Sequence, residues 1–402
     1  MITNDLTPAA RRNDQSQEGW PLRALQHPAE TESPNRCKTL RTRLIQHESE
    51  FENLERPWSE LARACGARPF QDFAWARAWV HTIGRADGRQ LRIATLWDTE
   101  RLLAILPLVR RPYCGARLLE WLGARAADYC DGLLHPSMDA EDAFSMLWNA
   151  LLVRGDCDVI RLGQVRHDAK VHAVLATGHL TSWVETREQT HYIPIQWNSG
   201  EEWLQAQTAH ARKQFKYDVR HLAKAGFQYY LWKSPDPYEL LVEALIAQKS
   251  AWLLHKGAGP LMAHNTGAQF LREFIAEMAA QGTLHLSALR SKSGFAACHL
   301  GFYQHGVLYG FMPTYDPQWA TYSPGSVLRD AFVMWACDHG MQRVDLLRGS
   351  DPYKSHYHPE HEWLQTYVIP CTLIGRACLS AYRLRQLPWR RWAAPPPAEA
   401  VG

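Results

Sequence analysis

The stretch VLYGFMPTYDPQWATYSPGSVLRDAFVMWACDHGMQRVDLLRGSDPYK, Val307–Lys354, decides the fold. It opens with an apolar strand, Val307–Met312, and the loop that follows ends in Ser323-Pro324-Gly325. Ser326–His339 then carries apolar side chains at helical spacing, and Arg343–Leu347 is a further apolar strand. The stretch therefore predicts a strand, a loop, a helix and a strand in close succession.

Two more strands precede this stretch and complete an antiparallel meander. Thr283–Leu289 and Phe295–Tyr303 are followed by the short turns Ser291–Gly294 and Gln304–Gly306. Apolar residues at helical spacing predict two helices before the meander, one from Leu241 and one from Phe270, and a last strand is predicted at Trp363–Ile369. The second half therefore combines helices, a meander, a helix and a strand.

A similar succession occurs earlier in the chain. A helix is predicted at Phe70–Ile83, strands at Gln90–Trp97 and Leu102–Val109, and a helix at Glu141–Val153. The strand after that helix reads DVIRLG, close to VDLLRG in the second half, which indicates duplication. We therefore predict an α/β fold (an α+β sandwich) of two tandem domains, each a mixed, mainly antiparallel sheet flanked by helices. The expected boundaries are a disordered leader (1–38), two domains (39–195 and 196–375), and a C-terminal helix with a flexible tail (376–402).

Composition excludes several classes of protein. The chain has 402 residues with 46% hydrophobic content, enough for two cores, and its net charge of +3 does not predict nucleic-acid binding. Its nine cysteines form no CxxC pair, and neither a signal segment nor a membrane span is evident. These features predict a cytoplasmic protein. The Arg- and Trp-rich stretch from Arg383 to Trp392 is expected to be a solvated tail, with peripheral membrane contact as the alternative.

The start of the predicted helix is a candidate phosphate site. Ser323 suits the N-cap, Pro324 suits the first turn, and Gly325 lets a ligand approach the backbone. Free N–H groups and the helix dipole at such a start favour an anion. The motif is common in helices that bind no ligand, so it is a weak signal when taken alone.

The order of these motifs resembles the GNAT superfamily, and in particular the acetyltransferase-like proteins of bacterial cellulose and exopolysaccharide synthesis. It is more distantly similar to the Fem-type peptidyltransferases of cell-wall assembly. The similarity extends over about residues 50–370. The matching pieces are Leu286–Leu289, Gly294–Ala297, Tyr315-Asp316, Tyr322–Gly325, Gly340, Val344–Gly349 and Tyr353-Lys354, with Pro69–Gln71, Trp75, Trp79, Leu106–Val109 and Asp128-Tyr129 in the first half.

This resemblance implies direct transfer of an acyl group from acyl-CoA, as co-substrate, to an amine or hydroxyl, with no metal. Such a reaction needs a cradle for the diphosphate and donors that polarise the thioester carbonyl. The implied cradle is the backbone at Ser323, Gly325 and Ser326, and the implied carbonyl donors lie at Met312, Pro313 and Thr314. The chain departs from the usual Gln/Arg-x-x-Gly-x-Gly/Ala cradle, because Tyr322 and Val327 replace its first and last residues. That departure leaves room for a different donor.

Four residues are candidates for the proton path: Tyr315, Asp316, Asp345 and Lys354. Lys354 matches the lysine at the active centre of Fem-type enzymes. Asp345 lies in an apolar strand, where the alternative is an ion pair, for instance with Arg348. Tyr315 and Asp316 have the alternative of shaping the loop, since Asp-Pro commonly begins a turn.

Two further clusters carry chemistry. Lys213, Lys216 and Arg220 form a basic stripe on one predicted helix and, with Tyr353, are assigned to an anionic substrate; the alternative is a solvated helix face. Three histidines lie within SHYHPEHEW at 356, 358 and 361, but Pro359 interrupts helical pairing and no cysteine accompanies them. We therefore predict no metal site there.

Three functions remain open. The first is acyl-CoA-dependent N- or O-acyl transfer to a cell-surface polysaccharide, sugar precursor or related small acceptor. The second is Fem-like transfer of an amino acid from charged tRNA, and the third is a non-catalytic binding module of a polysaccharide-synthesis complex. The chain lacks GxxxxGK[ST], GxGxxG and GxSxG motifs, which argues against P-loop NTPases, dinucleotide enzymes and serine hydrolases.

Overall fold

One sheet runs through the part of the chain that the computed structural model describes, residues 40–176, 182–255, 265–349 and 351–386. The expected leader, 1–38, and the end of the expected tail, 387–402, lie outside these residues. So do the side chains of Arg383–Trp392, on which the alternative of membrane contact rests. No helix in the described ranges has the length and apolar character that a membrane crossing requires.

Within the described ranges, the first half contributes seven strands and five α-helices. The strands are β1 (Leu40–Ile45), β2 (Gln90–Asp98), β3 (Arg101–Tyr113), β4 (Ala116–Trp121), β5 (Leu133–Leu134), β6 (Val159–Arg166) and β7 (Trp183–Pro194). The helices are α1 (Glu48–Glu52), α2 (Glu55–Cys65), α3 (Phe73–Trp79), α4 (Ala140–Leu152) and α5 (His172–Ala176).

The second half contributes the remaining described elements. The strands are β8 (Gln228–Leu231), β9 (Leu284–Ser291), β10 (Gly294–Gln304), β11 (Val307–Tyr315), β12 (Arg343–Arg348) and β13 (Glu360–Pro370). The helices are α6 (Gly200–Ala206), α7 (Ala209–Lys224), α8 (Glu239–His255), α9 (Asn265–Ala280), α10 (Pro324–Asp338) and α11 (Leu373–Gln386). Two 3-10 helices, Pro317–Tyr322 and Pro352–Tyr357, flank α10 and β12.

The two halves have the same arrangement of strands. Strands β1 to β4 are antiparallel, and α4 then leads to β6, which pairs parallel to β4. Strands β8 to β11 repeat this arrangement, and α10 leads to β12, which pairs parallel to β11. The predicted mixed, mainly antiparallel sheet flanked by helices is confirmed.

The two halves exchange their last strands. β7 follows β6 in sequence but pairs with β12, while β13 follows β12 and pairs with β6. β7 and β13 then pair with each other along most of their length and join the halves into one sheet. The division expected at residues 195 and 196 stays a prediction, but it would separate two strands that are hydrogen-bonded to the other half.

An aromatic cluster packs the helices of the two halves together. The Trp75 ring on α3 lies edge-on to Phe270 and Phe274 on α9, with ring centroids 4.9 and 4.7 Å apart. Phe70 reaches Phe302 on β10 at 5.7 Å. Large buried rings of this kind each remove about 150–250 Å² from water, so they dominate the energy of the contact.

The structure corrects parts of the prediction. The helix expected at Phe70–Ile83 is divided into a 3-10 turn (Pro69–Gln71), α3, and a π-helical segment (Val80–Gly84), because the Asp72 side chain caps α3 by accepting from Ala74 N. β1, β7 and β8 were not expected. Each has a mostly exposed or half-buried sequence, so the apolar pattern that reveals a strand is missing.

Candidate active site

A bulge in β11 opens the sheet of the second half. Leu300 on β10 pairs with Met312, and Phe302 pairs with Tyr309, so two β11 residues oppose the single residue Gly301. β11 and β12 pair over only three positions and part after Tyr309. A bulge bends the strand that carries it, and here the bend leaves a gap between two parallel neighbours.

The gap forms a cleft of about 260 Å³, which we call the β11–β12 cleft. Its walls come from both strands, from α8, from α10 and from the 3-10 helix after β12. The polar and charged lining residues are Asp128, Gln248, Lys249, Thr314, Tyr315, Arg329, Arg348, Asp351, Tyr353 and Lys354. Asp128 is the lining residue that comes from the first half.

Lys354 lies at the base of this cleft and is 3% exposed. Its Nζ donates to the carbonyl oxygens of Leu347, Arg348 and Gly349, at 3.0, 2.7 and 2.9 Å. These bonds use all three N–H groups of an ammonium. Burial lowers the pKa of Lys354, while nearby carboxylates, Asp351 first, favour its charge. The lysine therefore fixes the loop that ends β12.

Asp345 is buried and fully engaged. Its Oδ2 accepts from Arg343 Nη2 at 2.8 Å, and its Oδ1 accepts from Tyr129 Oη at 2.7 Å and Leu347 N at 2.9 Å. The bond to Leu347 holds that residue at φ +61°, a conformation that a leucine rarely adopts. Asp345 lines a separate cavity and not the β11–β12 cleft, and its ion-pair partner is Arg343 in place of the expected Arg348.

The first half reaches into the site through residues 128 and 129. Asp128 Oδ1 accepts from Arg348 Nε at 2.9 Å, and burial raises the pKa of Asp128 to about 6. The Tyr129 hydroxyl meets Asp345 and Thr190 within the sheet. A carboxyl with a pKa near neutrality in a cleft is suited to accept a proton during a reaction.

The strand that faces the gap offers few donors. Met312 is buried in the core at 8% exposed, and Pro313 has no N–H. The Thr314 hydroxyl donates to Gln248 Oε1 at 2.8 Å. Beyond Tyr309, β11 has no pairing with β12, so its edge peptide groups face the cleft. Pro313 and Thr314 line the cleft and Met312 does not.

The mouth of α10 has one free backbone donor among residues 323–327. Ser323 N donates to Ala320 O, Pro324 has no N–H, and Ser326 N and Val327 N both donate to Ser323 O. Gly325 alone has no backbone acceptor in this group. The Ser323 side chain does not cap the helix, because its backbone is left-handed at φ +48°.

Arg329 supplies a cation beside that mouth. Its Nη2 donates to Ser326 Oγ at 3.1 Å, and its guanidinium lies 4.2 Å from the Tyr353 ring centroid. A Cβ on Gly325 would lie 3.2 Å from Arg329 Nη1 and 3.4 Å from Tyr315 Cδ1. The helix mouth is thus narrow, with a cation one turn inside it.

A second cavity of about 440 Å³ lies on the other side of Arg329 and Tyr353, and we call it the α7–α10 pocket. Both residues line both cavities. The polar and charged lining residues of the pocket are Gln207, His210, Gln214, Asp218, Ser323, Ser326, Arg329, Asp330, Tyr353, His356 and Tyr357. Ser323 and Ser326 therefore open onto this pocket, and Tyr315 opens onto the cleft.

Several expected site residues lie apart from both cavities. Lys213, Lys216 and Arg220 are exposed on the opposite face of α7 from Asp218, and none lines either cavity. Asp316 caps the 3-10 helix Pro317–Tyr322 by accepting from Gln318 N at 3.0 Å, and it does not line either cavity. For Asp316 the geometry matches the loop-shaping alternative.

The sequence analysis assigned no role to several lining residues, among them Asp128, Lys249 and Arg329. Arg329 stands four residues after Gly325, a spacing that places both on one face of α10, so the sequence did hold that signal. Lys249 lies 4.4 Å from the Trp252 ring centroid, and burial lowers its pKa. Asp128 belongs to the Asp128-Tyr129 piece noted in the sequence, but its place in a cleft of the second half depends on tertiary contacts.

No metal cluster is found in the described ranges, where no three His, Cys, Asp or Glu side chains are grouped to hold an ion. His356 lines the α7–α10 pocket, whereas His361 lies on β13 and faces the Trp363 ring at 6.0 Å. The histidines at 356, 358 and 361 are thus spread over a 3-10 helix, a turn and a strand.

The chain is similar to known proteins in sequence over part of its length and in fold over most of it. Residues 209–355 match the family model described as Acetyltransferase (GNAT) domain. The structure of FemX has a TM-score of 0.54 at 10% identity, covering 77% of this chain and 95% of that chain. L-PGS from Bacillus licheniformis has a TM-score of 0.48 at 11% identity, covering 82% and 95%.

A tandem GNAT protein from the clavulanic acid biosynthesis pathway has a TM-score of 0.45 at 12% identity, covering 83% of this chain and 99% of that chain. No curated protein sequence matches the chain. The likeness to FemX extends to the fold alone at this identity. The chain thus has a fold shared with FemX, and its residues 209–355, which supply the lining of the β11–β12 cleft apart from Asp128, are similar to the GNAT domain.

Proposed function

We propose that the chain is an acyltransferase that moves an acyl group from acyl-CoA to an amine or hydroxyl in the β11–β12 cleft. The observation that carries the proposal is the bulged separation of β11 from β12 beside the start of α10, within the segment that matches the GNAT domain. An extended acyl donor fits between two such strand edges, because their peptide groups have no partner strand there. The acyl carbonyl would be polarised by backbone groups near Met312 and Thr314.

In this proposal the acceptor attacks the thioester carbon directly and Asp128 takes the proton that the acceptor loses. The carbon–sulfur bond then breaks, CoA leaves as a thiolate, and the proton on Asp128 passes to that thiolate or to solvent. Asp128 lines the cleft, and its pKa of about 6 leaves it ionised near neutral pH but able to hold a proton. Lys354 acts as a positioning residue, since its three N–H groups already bind the carbonyls of residues 347–349. Tyr315 and Tyr353 border the reacting groups.

Calorimetric titration with acetyl-CoA and with longer acyl-CoAs tests the donor. We expect binding by the wild type and none by Gly325→Trp, because the indole would fill the space next to Arg329 and Tyr315. Lys292→Trp is the control, since Lys292 is exposed in the turn between β9 and β10 and lines neither cavity. If no acyl-CoA binds to the wild type, the donor assignment is wrong.

A second candidate is Fem-like transfer of an amino acid from charged tRNA. Two observations favour it: the mouth of α10 has a single free N–H for a diphosphate, and the exposed basic stripe Lys213–Arg220 is available to an RNA backbone. Incubation with labelled aminoacyl-tRNA and with labelled acyl-CoA separates the two donors. Transfer from tRNA that is lost in Lys213→Glu/Lys216→Glu, with no transfer from acyl-CoA, would select this candidate.

We further propose that the acceptor is a cell-surface polysaccharide, a sugar precursor or a related small molecule, and that the protein acts in the cytoplasm. Incubation with mixed acyl-CoAs and cell extract, followed by mass spectrometry of the products, identifies donor and acceptor together. The third possibility, a non-catalytic binding module, predicts no product at all. A turnover signal that falls in Asp128→Asn and Lys354→Met would exclude it.

A further inference from the structure

The α7–α10 pocket contains two carboxylates that have no ion-pair partner within the described residues. Asp218 is 5% exposed, and its Oδ1 accepts from Gln214 Nε2 at 2.9 Å, while its Oδ2 has no hydrogen-bond partner in the described part of the chain. Asp330 Oδ1 accepts from Tyr357 Oη at 2.7 Å. Burial raises the pKa of both carboxyls, that of Asp330 to about 6. Both acids line the same cavity.

The cation nearest to these acids is held by other groups. Arg329 donates to Ser326 Oγ, lies over the Tyr353 ring and contacts the Tyr357 hydroxyl. It forms no salt bridge with Asp330, although its charge acts on that carboxyl. The remaining titratable groups that face the acids are the imidazoles of His210, His356 and His221. With neutral imidazoles and both acids ionised, the pocket has one more negative than positive charge.

Aromatic rings form much of the remaining wall. Trp203 on α6 is stacked with Tyr357, with ring centroids 6.5 Å apart and an interplanar angle of 26°, and Phe215 lines the cavity from α7. An organic cation gains from contact with ring faces as well as from carboxylates. Rings and acids together are the lining that such a cation prefers.

The same pocket is poorly suited to an anion. The mouth of α10 provides the free N–H of Gly325, and the other backbone donors of residues 323–327 are used or missing. Gly325 lies beside Tyr315, which lines the cleft, so a donor diphosphate would approach Gly325 and Arg329 from the cleft side. An anion inside the pocket would instead approach Asp330, which lines only the pocket. Ionised carboxylates repel an anion in a partly buried site because the local dielectric is low.

We propose that the α7–α10 pocket binds a protonated amine of the substrate, with the ammonium donating to Asp218 Oδ2 and to Asp330. The inference rests on the proposed function in one respect, namely that the amine belongs to a molecule whose acyl transfer takes place in the neighbouring cleft. Arg329 and Tyr353 line both cavities, so one molecule can reach from the ammonium site to the gap between β11 and β12. Substrates with an amino group near the transferred carbonyl or on the acceptor would be selected.

Titration of the intact protein with n-butylammonium chloride tests the site, with 1-butanol as the neutral probe at equal ionic strength. The readouts are the shift in Tm and the apparent Kd. We expect a saturable rise in Tm with the ammonium and none with the alcohol. Asp218→Asn and Asp330→Asn should each weaken the ammonium about tenfold, the value of one charge-assisted hydrogen bond. Asparagine keeps the side-chain shape, and circular dichroism verifies the fold of each variant.

The control is Asp236→Asn, an exposed acid in a turn with no side-chain partner among the described residues, and it should bind as the wild type does. Equal stabilisation by butanol would overturn the proposal, and so would tight ammonium binding that survives both pocket substitutions. Stabilisation by inorganic diphosphate in place of the ammonium would overturn it as well. Because none of these readouts needs turnover, a failed acyl-transfer assay and a failed ammonium titration reject different claims.

Discussion

The two halves of the sheet have the same strand order, but the gap between their two parallel strands is occupied in the first half and open in the second. In the first half, β4 and β6 pair over three positions, and the chain then returns so that Cys130 bridges to Val165 on β6. Cys130 N donates to Gln164 O at 3.0 Å. In the equivalent gap between β11 and β12, no segment from the described part of the chain bridges to β12, and the gap forms the cleft.

Loop length accounts for the difference. The connection from β4 to α4 covers residues 122–139, more than twice the length of residues 316–323 between β11 and α10. The longer loop supplies β5 and buries Tyr129, whereas the shorter one leads directly into the α10 start. We call the first half, whose gap is occupied, the filled half, and the second half, whose gap is the cleft, the open half. The filled half supports the open half, since Asp128 and Tyr129 contact Arg348 and Asp345.

The largest effect should come from Lys354→Met, which acts on the open half. Three carbonyls, of which that of Leu347 is buried, would lose their donor, at a cost of about 3 kcal/mol in unfolding free energy. Movement of the cleft wall should lower turnover about 100-fold. Urea denaturation and steady-state kinetics measure both. The control is Lys170→Met, which changes an exposed lysine of the filled half. Equal losses of stability and turnover in the two variants would show that Lys354 has no special role in the open half.

The next effect compares the helices that follow the exchanged strands. A Cβ on Gly375 of α11 would lie 1.9 Å from Asp158 O, and one on Gly200 of α6 would lie 2.6 Å from Met334 Cβ. Both positions would overlap backbone, since a Cβ on Gly200 would also lie 2.9 Å from Met334 Cα, but the contact at Gly375 is the closer one. Gly375→Ala should therefore cost about 3 kcal/mol and Gly200→Ala about 2 kcal/mol. Urea denaturation measures both losses of unfolding free energy, from the shift in midpoint at an unchanged m-value. The reverse order would show that the two helices are docked differently.

A smaller effect concerns pH. Asp330 is the seventh residue of α10, where α4 has Met146. Its folded pKa of about 6 exceeds the ordinary 3.8, so the folded state holds this proton more tightly, and its contribution to stability is lost as pH rises from about 4 to 6. The unfolding free energy of Asp330→Asn, relative to that of the wild type, should increase by about 2 kcal/mol from pH 4 to pH 7. Met146→Leu should show no such trend in the same chemical denaturation series, and a flat difference for Asp330→Asn would refute the prediction.

The smallest effect tests the support that the filled half gives. Tyr129→Phe removes one donor to Asp345 but leaves Leu347 N in place, so we expect a loss of about 1 kcal/mol. Turnover should fall with it, since Leu347 lines the cleft. Tyr303→Phe removes a bond to Gly282 O far from the cleft and serves as the control. If turnover is unchanged in Tyr129→Phe, the first half does not contribute to activity in the cleft through this hydrogen bond.

Apolar periodicity was sufficient to predict the elements that bury a continuous face. α10 buries Leu328, Phe332 and Ala336, and most residues of the meander β9–β11 are buried, so both were predicted within a few residues. β7 could not be found this way, because only Thr190 and Ile193 are buried along it. The exchange of β7 and β13 depends on pairing between distant residues, which the local sequence does not record.

Some of the residues that the motifs singled out lie together in the structure. Lys354, Tyr353, Tyr315 and Thr314 line one cleft. The basic stripe of α7 faces away from both cavities, since a spacing of three and four defines a helix face but not its direction. Roles for all of these residues stay predictions until turnover is measured.

The exchanged strands also bear on how the protein is made. β6 leaves the ribosome about 200 residues before β13, the strand that completes its pairing. At the usual rate of about 5–20 residues per second, the nascent first half keeps an open strand edge for roughly 10 to 40 seconds. During that time the edge can pair with another chain, so expression at low temperature or with added chaperone should increase the yield of native protein.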